Sequence, residues 1–172
     1  MAEYCIGTAQ FGMNYGIANK SGCPNDDEVD KILKNAVENN IRYFDTAQAY
    51  GESEVVLGKS IRKILNTCEI RIISKLSPDF IESNILDIIE SVKSSLTKLK
   101  VNSLYGFLGH RVEAINSESF LSAVEILKKD GLVKKTGVSI YTPEEALDVM
   151  NKSIVDILQI PFNILDKRWI DM

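Results

Sequence analysis

Four residues with acidic, basic or phenolic side chains stand near the ends of apolar runs in this chain: Asp45, Tyr50, Lys75 and His110. Taken singly, each has an ordinary explanation. Asp45 could cap a helix, and Tyr50 could pack within its loop. Lys75 could extend to solvent, and His110 could serve the fold alone. Their positions along successive runs are what suggest a joint chemical role.

Together the four side chains would form a proton-transfer site. A phenol has a pKa of about 10 and is a poor acid at neutral pH, but a neighbouring lysine cation favours the phenolate and lowers that pKa. Asp45 would pair with Lys75 and keep it charged and in place, and His110 would orient a substrate oxygen. The pattern predicts that Tyr50 gives its proton to a carbonyl oxygen as charge develops there.

The elements that must position these residues alternate along the chain. Short apolar runs are separated by segments with the periodicity of amphipathic helices. The first run predicts a strand over Cys5–Ala9 and the sixth a strand over Val155–Phe162, with IRYFDTA, IRIISKL, LYGFLGH and KTGVSI between them. Thr142 and Glu145 flank Pro143 in the pattern of a capped helix start. Six strands alternating with five helices predict a parallel sheet.

Two architectures fit a repeated β-α pattern, an open doubly wound sheet and a barrel. The dinucleotide-binding open sheet carries GxGxxG after its first strand, and GMNYGIANKSG does not match it. A (β/α)8 barrel instead assembles its site from the ends of many strands. Polar residues recur at such ends here: Asp45, Lys75, His110, Ser139 and Gln159. We therefore expect an α/β fold of the parallel (β/α)8 TIM-barrel type, as a single domain over residues 1–172.

Composition narrows the classes of function. The net charge of −4 and the pI near 5.1, with no basic run, argue against a nucleic-acid binder. No apolar run approaches the length of a membrane span and no signal peptide is recognisable, so we expect a cytoplasmic protein. Cys5, Cys23 and Cys68 have no CxxC or metal-ligand spacing. We expect free thiols and no metal, with Cys5 buried in its strand.

Several stretches are similar to a known family. NNIRYFDTAQAYGESEVVLGKSIRK carries the strongest likeness, and GTAQFGMNYG, IISKL, FLGHR, GLVKKTGVSI and DILQIPFNILDKR extend it over essentially the whole chain. The sequence resembles the aldo-keto reductases, NAD(P)H-dependent enzymes that reduce aldehydes and ketones on a (β/α)8 barrel. The local sequence GTAQFGMNYGIANKSG resembles that of a bacterial subgroup associated with sugar metabolism. This resemblance implies a sugar-like carbonyl substrate.

The resemblance implies roles for particular residues. Tyr50 would be the general acid and would form a tetrad with three further residues, Asp45, Lys75 and His110. Ser139 and Gln159 would hold the nicotinamide carboxamide of NADPH, or of NADH, and Asn163 would line the same pocket. Two positions depart from the family pattern: Gly109 stands where a branched apolar residue is usual, and Ile140 where asparagine is usual.

The chain is also shorter than a whole family member, which implies a C-terminally truncated barrel of about six β/α units. The last two strands and the loop that grips the cofactor phosphates would be missing. Three explanations stay open: a fragment of a longer protein, a natural truncation that self-associates over its open side, and a rearranged fold. The alternative function is a catalytically silent binding or assembly module.

Overall fold

The computed structural model describes residues 2–64, 68–80, 82–150, 152 and 155–170. Among these residues, six strands alternate with helices. The strands are β1 (Cys5–Gly7), β2 (Tyr43–Asp45), β3 (Arg71–Leu76), β4 (Leu104–Gly109), β5 (Val133–Ser139) and β6 (Ile157–Gln159). The helices are α1 (Ala9–Gly12), α2 (Asp26–Glu38), α3 (Ser53–Ile64), α4 (Ile85–Leu99), α5 (Glu118–Lys129) and α6 (Pro143–Met150). Two short 3₁₀ segments follow β3 and β4, at Pro78–Phe80 and Val112–Asn116.

All six strands pair in parallel in the order of the chain, from β1 to β6. Among the described residues β1 and β6 each have one neighbouring strand, so the sheet is open. Parallel strands joined by helices and following one another in chain order form the incomplete (β/α)8 barrel that the sequence predicted. Within the described residues, no helix combines the length and the apolar character needed to cross a membrane.

Local chemistry explains where the helices begin. Asn25 and Glu28 form a reciprocal capping box at α2, and Asn84 and Ser117 cap α4 and α5 through their side chains. At α6 the predicted start is confirmed, because the Thr142 hydroxyl accepts from the Glu145 amide nitrogen. Such caps satisfy amide groups that have no partner within the helix.

The main core lies between the helices and the outer face of the sheet. Phe44, Ile72, Phe107 and Val138 are almost fully buried there, together with the apolar faces of α2 to α5. The inner face of the open sheet is different. Cys5 lies there beside Ile73, Leu108 and Ile157 and is exposed, so the prediction of a buried Cys5 is wrong. The side chain points into the open interior instead of toward the helices.

Both outermost strands are shorter than predicted. The predicted first strand, Cys5–Ala9, ends at Gly7, because the chain turns into α1 at Ala9, although the Thr8 amide still bonds to the Asp45 carbonyl at 2.8 Å. The predicted sixth strand, Val155–Phe162, is reduced to Ile157–Gln159. Pro161 beyond it has no N–H to continue a ladder. The extra helix α1 also raises the predicted five helices to six among the described residues.

Candidate active site

The carboxyl ends of β2, β3 and β4 bring the predicted tetrad to one edge of the sheet. Asp45 is the last residue of β2, and Lys75 lies next to the end of β3. Lys75 pairs in register with Leu108 of β4, two residues before His110. Tyr50 lies in the loop between β2 and α3. The structure therefore places all four side chains within one small region.

Asp45 and Lys75 form a buried ion pair. The Lys75 ammonium donates to both Asp45 carboxylate oxygens, at 2.6 and 2.7 Å, and to the Thr46 carbonyl at 3.0 Å. The Lys75 side chain is 1% exposed and that of Asp45 13%. Burial lowers the pKa of Lys75, and the Asp45 charge opposes that shift. All three ammonium protons are satisfied, so the pair holds a fixed geometry.

Tyr50 lies over this ion pair. The Lys75 ammonium is 5.0 Å from the centre of the Tyr50 ring. Burial, followed by the charges of Asp45, Tyr15 and Tyr141, raises the pKa of Tyr50 to about 12. The prediction of a lowered pKa is therefore wrong, because Asp45 offsets the charge of Lys75 and the phenol is itself partly buried. Tyr50 is fully protonated at neutral pH, as a proton donor must be.

His110 packs edge-on against Tyr50, with ring centres 5.7 Å apart and planes at 90°. Its Nδ1 atom is buried and has no hydrogen-bond partner in the described part of the chain. Burial lowers the pKa of His110, and the nearby charges of Lys75 and Arg111 lower it further. The imidazole is therefore neutral near pH 7, with one nitrogen able to donate and the other to accept.

A close backbone contact holds the Tyr50 loop, and sequence reasoning missed it. Gly12, at the end of α1, packs against this loop so tightly that an added Cβ would lie 2.1 Å from the Tyr50 carbonyl oxygen. Gly51 adopts a left-handed backbone with φ of 55° in the same contact, a conformation that glycine adopts without strain. In the sequence, this contact could have been suspected from two glycines that each follow an aromatic residue, in the Phe-Gly pair at 11–12 and the Tyr-Gly pair at 50–51.

A buried hydroxyl cluster joins the same elements. The Ser53 hydroxyl donates to the Thr8 carbonyl at 2.7 Å and lies 2.8 Å from the Thr8 hydroxyl and 3.0 Å from that of Thr46. Thr8 donates in turn to the Asp45 carbonyl at 2.9 Å. The cluster ties the start of α3 to the ends of β1 and β2, and so fixes the backbone on both sides of Tyr50.

The predicted cofactor residues separate into two groups. Ser139 and Gln159 are register partners on β5 and β6, and both line a cleft of about 880 Å³ that also contains Asp45 and Tyr50. Asn163 lies apart from this lining. Its side-chain oxygen accepts from the amide nitrogens of Leu165 and Asp166, at 2.9 and 3.1 Å, within a turn.

A nicotinamide carboxamide has one donor and one acceptor group to satisfy. The Ser139 hydroxyl and the Gln159 amide offer donors and acceptors side by side on the wall of this cleft. The side chains of Ser139 and Gln159 therefore fit the nicotinamide carboxamide that the sequence resemblance implied. Ile140, at the usual asparagine position, does not contribute, because its side chain is fully buried in the core.

Gly109 has a steric explanation. A Cβ at this position would lie 2.3 Å from the Cβ of Ala114, in the 3₁₀ segment that follows β4. That segment packs directly on the strand end, where a branched residue would collide with it. The local packing beside His110 therefore explains why glycine stands at position 109, where the family usually has a branched apolar residue.

Comparisons with known proteins agree on one family. A family model described as the aldo/keto reductase family matches residues 3–171. The uncharacterized oxidoreductase YqkF of Bacillus subtilis is 31% identical over 149 residues, 80% of this chain and 48% of that protein. Methylglyoxal reductase DkgB of Salmonella typhi is 32% identical over 77% of this chain and 48% of that protein.

Solved structures show the same likeness. PA4992 from Pseudomonas aeruginosa, classed with the aldo-keto reductases, superposes with a TM-score of 0.79 at 28% identity, over 95% of this chain and 64% of that one. The Bombyx mori aldo-keto reductase AKR2E4, solved in complex with NADP, superposes with a TM-score of 0.72 at 21% identity, over 92% and 54%. The chain spans about half the length of the curated relatives it matches.

Proposed function

The chain belongs to the aldo/keto reductase family, and from that premise we propose that it reduces the carbonyl group of a small aldehyde or ketone at the expense of NADPH or NADH. The observation that carries the proposal is the buried arrangement around Tyr50. Its ring lies 5.0 Å from the Lys75 ammonium and 5.7 Å from the His110 ring, and Lys75 donates to both carboxylate oxygens of Asp45.

Each residue has a defined task in this proposal. Tyr50 gives its hydroxyl proton to the carbonyl oxygen as negative charge develops there. Neutral His110 donates a hydrogen bond to the same oxygen and orients it. Lys75 stabilises the phenolate that Tyr50 becomes, and Asp45 keeps the ammonium in place. Because its pKa is raised, Tyr50 keeps its proton at neutral pH and gives it up only as the substrate oxygen acquires the basicity of an alkoxide.

The nicotinamide cofactor would supply the hydride to the carbonyl carbon when bound. We assign the carboxamide contacts to Ser139 and Gln159, which face the same cleft as Tyr50. Asn163 remains a further prediction, and its role would require the turn that its side chain now closes to open. The names of the relatives, methylglyoxal reductase from Salmonella typhi and D-galacturonate reductase from Fragaria ananassa, support small oxygenated carbonyl substrates of a sugar-like kind.

Cofactor binding tests the proposal. NADPH and NADH are titrated into the purified chain and into the Gln159→Leu variant, with binding followed by calorimetry. We expect micromolar binding of NADPH, weakened about tenfold or more in the variant, because the hydrogen bond between the Gln159 amide and the carboxamide is lost. Ile126→Ala, on the exposed face of α5 and outside the cleft, is the control and should bind as the wild type does. Absence of binding at millimolar cofactor would refute the proposal.

One observation favours the second candidate function, that of an assembly module. Both outer strands carry unpaired edges among the described residues. Large apolar side chains are also exposed beyond β6: Ile160, Phe162, Ile164 and Leu165. Unpaired edges and exposed apolar patches mark interfaces. We propose that a second copy of the chain covers this open side, whether or not the chain is catalytically active.

A further inference from the structure

A second cavity of about 250 Å³ opens beside His110, on the side of the active site formed by the segments that follow β3 and β4. Its walls are formed by Leu76, Ser77, Pro78, His110, Arg111 and Glu113. His110 thus links this cavity to Tyr50, against which its ring packs. A ligand whose carbonyl oxygen sits between Tyr50 and His110 would extend into this space.

Arg111, whose side chain is exposed, supplies a cation to the wall of this cavity. Among the described residues its guanidinium group makes no ion pair or hydrogen bond, although Glu113 lines the same cavity. The other cation of the site is different, because Lys75 is paired with Asp45 through both carboxylate oxygens. Burial lowers the pKa of His110, the charges of Lys75 and Arg111 lower it further, and the charge of Asp45 opposes them. Arg111 is thus the cation on the wall of this cavity, and Glu113 is the acidic residue beside it.

The chemistry of the cavity selects a particular class of ligand. A guanidinium group offers parallel N–H donors that match the two oxygens of a carboxylate. The volume of about 250 Å³ lies below the usual range for drug-sized ligands, so the ligand is small. The Ser77 hydroxyl is already bonded to Asp79 at 3.1 Å, which leaves Arg111 as the main group for anion recognition.

We propose that Arg111 binds the carboxylate of a small oxo acid and thereby sets the substrate class of the site. The proposal rests on the proposed function, because it takes the reacting carbonyl oxygen to lie between Tyr50 and His110. Neutral carbonyl compounds would still reach Tyr50 but would leave Arg111 solvated. Arg111 is thus a specificity-determining residue, and the proton donor is unchanged.

Equilibrium binding tests the proposal without any need for turnover. The probes are pyruvate and its uncharged analogue pyruvamide, which differ in the carboxylate alone, and their dissociation constants are measured by ligand-observed NMR. The first variant is Arg111→Gln, which removes the charge. The second is Arg111→Lys, which keeps the charge but removes the parallel N–H donors of the guanidinium group. Arg62→Gln is the matched control, since Arg62 lies exposed on α3.

We expect the wild type and Arg62→Gln to bind pyruvate about tenfold or more tightly than pyruvamide, with that preference lost in Arg111→Gln and reduced in Arg111→Lys. Equal binding of the two probes by the wild type, or an undiminished preference in Arg111→Gln, would overturn the proposal. So would a failure of the wild type to bind pyruvate. Reduction of neutral glyceraldehyde with NADPH is assayed separately, so that a failure of the proposed function is seen on its own.

Discussion

At the residue scale, His110 offers a direct test of the site's electrostatics, because it is the only histidine in the chain. Burial and the charges of Lys75 and Arg111 lower its pKa below the ordinary value of 6.5. We expect its imidazole resonances, followed by NMR in a tag-free protein, to titrate below pH 6.5.

The same shift has a defined effect on stability. The unfolded chain takes up a proton near pH 6.5, and the folded chain does so only at lower pH. The contribution of His110 is therefore present above pH 6.5 and is lost as the pH falls from there through the folded-state pKa. A midpoint at or above 6.5 would show that the site does not keep His110 neutral.

The Lys75–Asp45 pair predicts a large effect of a single substitution. Lys75→Met leaves the Asp45 carboxylate partly buried without its counter-ion, which should lower the free energy of unfolding by about 3–5 kcal/mol. Chemical denaturation of the variant measures this loss.

A second variant separates the charge from the packing. Adding Asp45→Asn to Lys75→Met removes the unpaired charge and should restore part of the lost stability. If the double variant were no more stable than Lys75→Met alone, the pair would not be the source of the effect.

Much of the site could be predicted from the types of its residues and their positions in the sequence. Asp45, Lys75 and His110 could be assigned to one edge because parallel strands end at the same side of a sheet. The direction of the Tyr50 pKa shift could not be predicted, since it depends on how fully Asp45 offsets Lys75 and on how deeply the ring is buried. Arg111 was overlooked, because nothing in the sequence shows whether an arginine has a partner.

At the element scale, the contact between α1 and the Tyr50 loop decides where the phenol lies. Gly12→Ala would place a Cβ 2.1 Å from the Tyr50 carbonyl oxygen and from the Ser53 amide nitrogen. Both are backbone atoms that cannot rotate away. We expect a loss of about 1–3 kcal/mol in the free energy of unfolding, with loss of activity as the loop shifts.

Gly7→Ala is the matched control, because a Cβ at Gly7 would meet nothing within 4 Å. It should leave the melting temperature close to that of the wild type. Equal effects of the two substitutions would mean that the close contact at Gly12 does not control the loop.

The order of the elements was predictable, and their ends were less so. The apolar runs and capping residues indicated six strands and the start of α6. The ends of β1 and β6 depend on where the chain leaves the sheet, at α1 after β1 and shortly before Pro161 after β6. The turn that engages Asn163 likewise depends on backbone groups at Leu165 and Asp166, which residue type alone does not reveal.

At the scale of the whole molecule, the open side of the sheet predicts self-association. Ile164 and Leu165 are 89% and 91% exposed beyond β6, and we expect a dimer at micromolar concentration in analytical ultracentrifugation. Leu165→Asp should shift the molecule toward the monomer, because burying a carboxylate in an apolar interface is unfavourable.

Leu86→Asp serves as the control, since Leu86 is exposed on α4, on the outer side of the sheet. It should leave the dimer intact. A wild-type chain that sediments as a monomer at micromolar concentration would count against the second copy as the cover of the open side.

We propose that Tyr50 donates the proton in an NAD(P)H-dependent carbonyl reduction. The most direct measurement is the rate of NADPH oxidation with glyceraldehyde for the wild type and Tyr50→Phe, with NADPH binding measured on both. No described residue hydrogen-bonds the Tyr50 hydroxyl, so the variant should keep its fold. We expect turnover by the wild type, and a loss of about a hundredfold or more in the variant with unchanged cofactor affinity. Undiminished turnover by Tyr50→Phe would contradict the role of Tyr50 as proton donor, and no turnover by the wild type would contradict the proposed reduction.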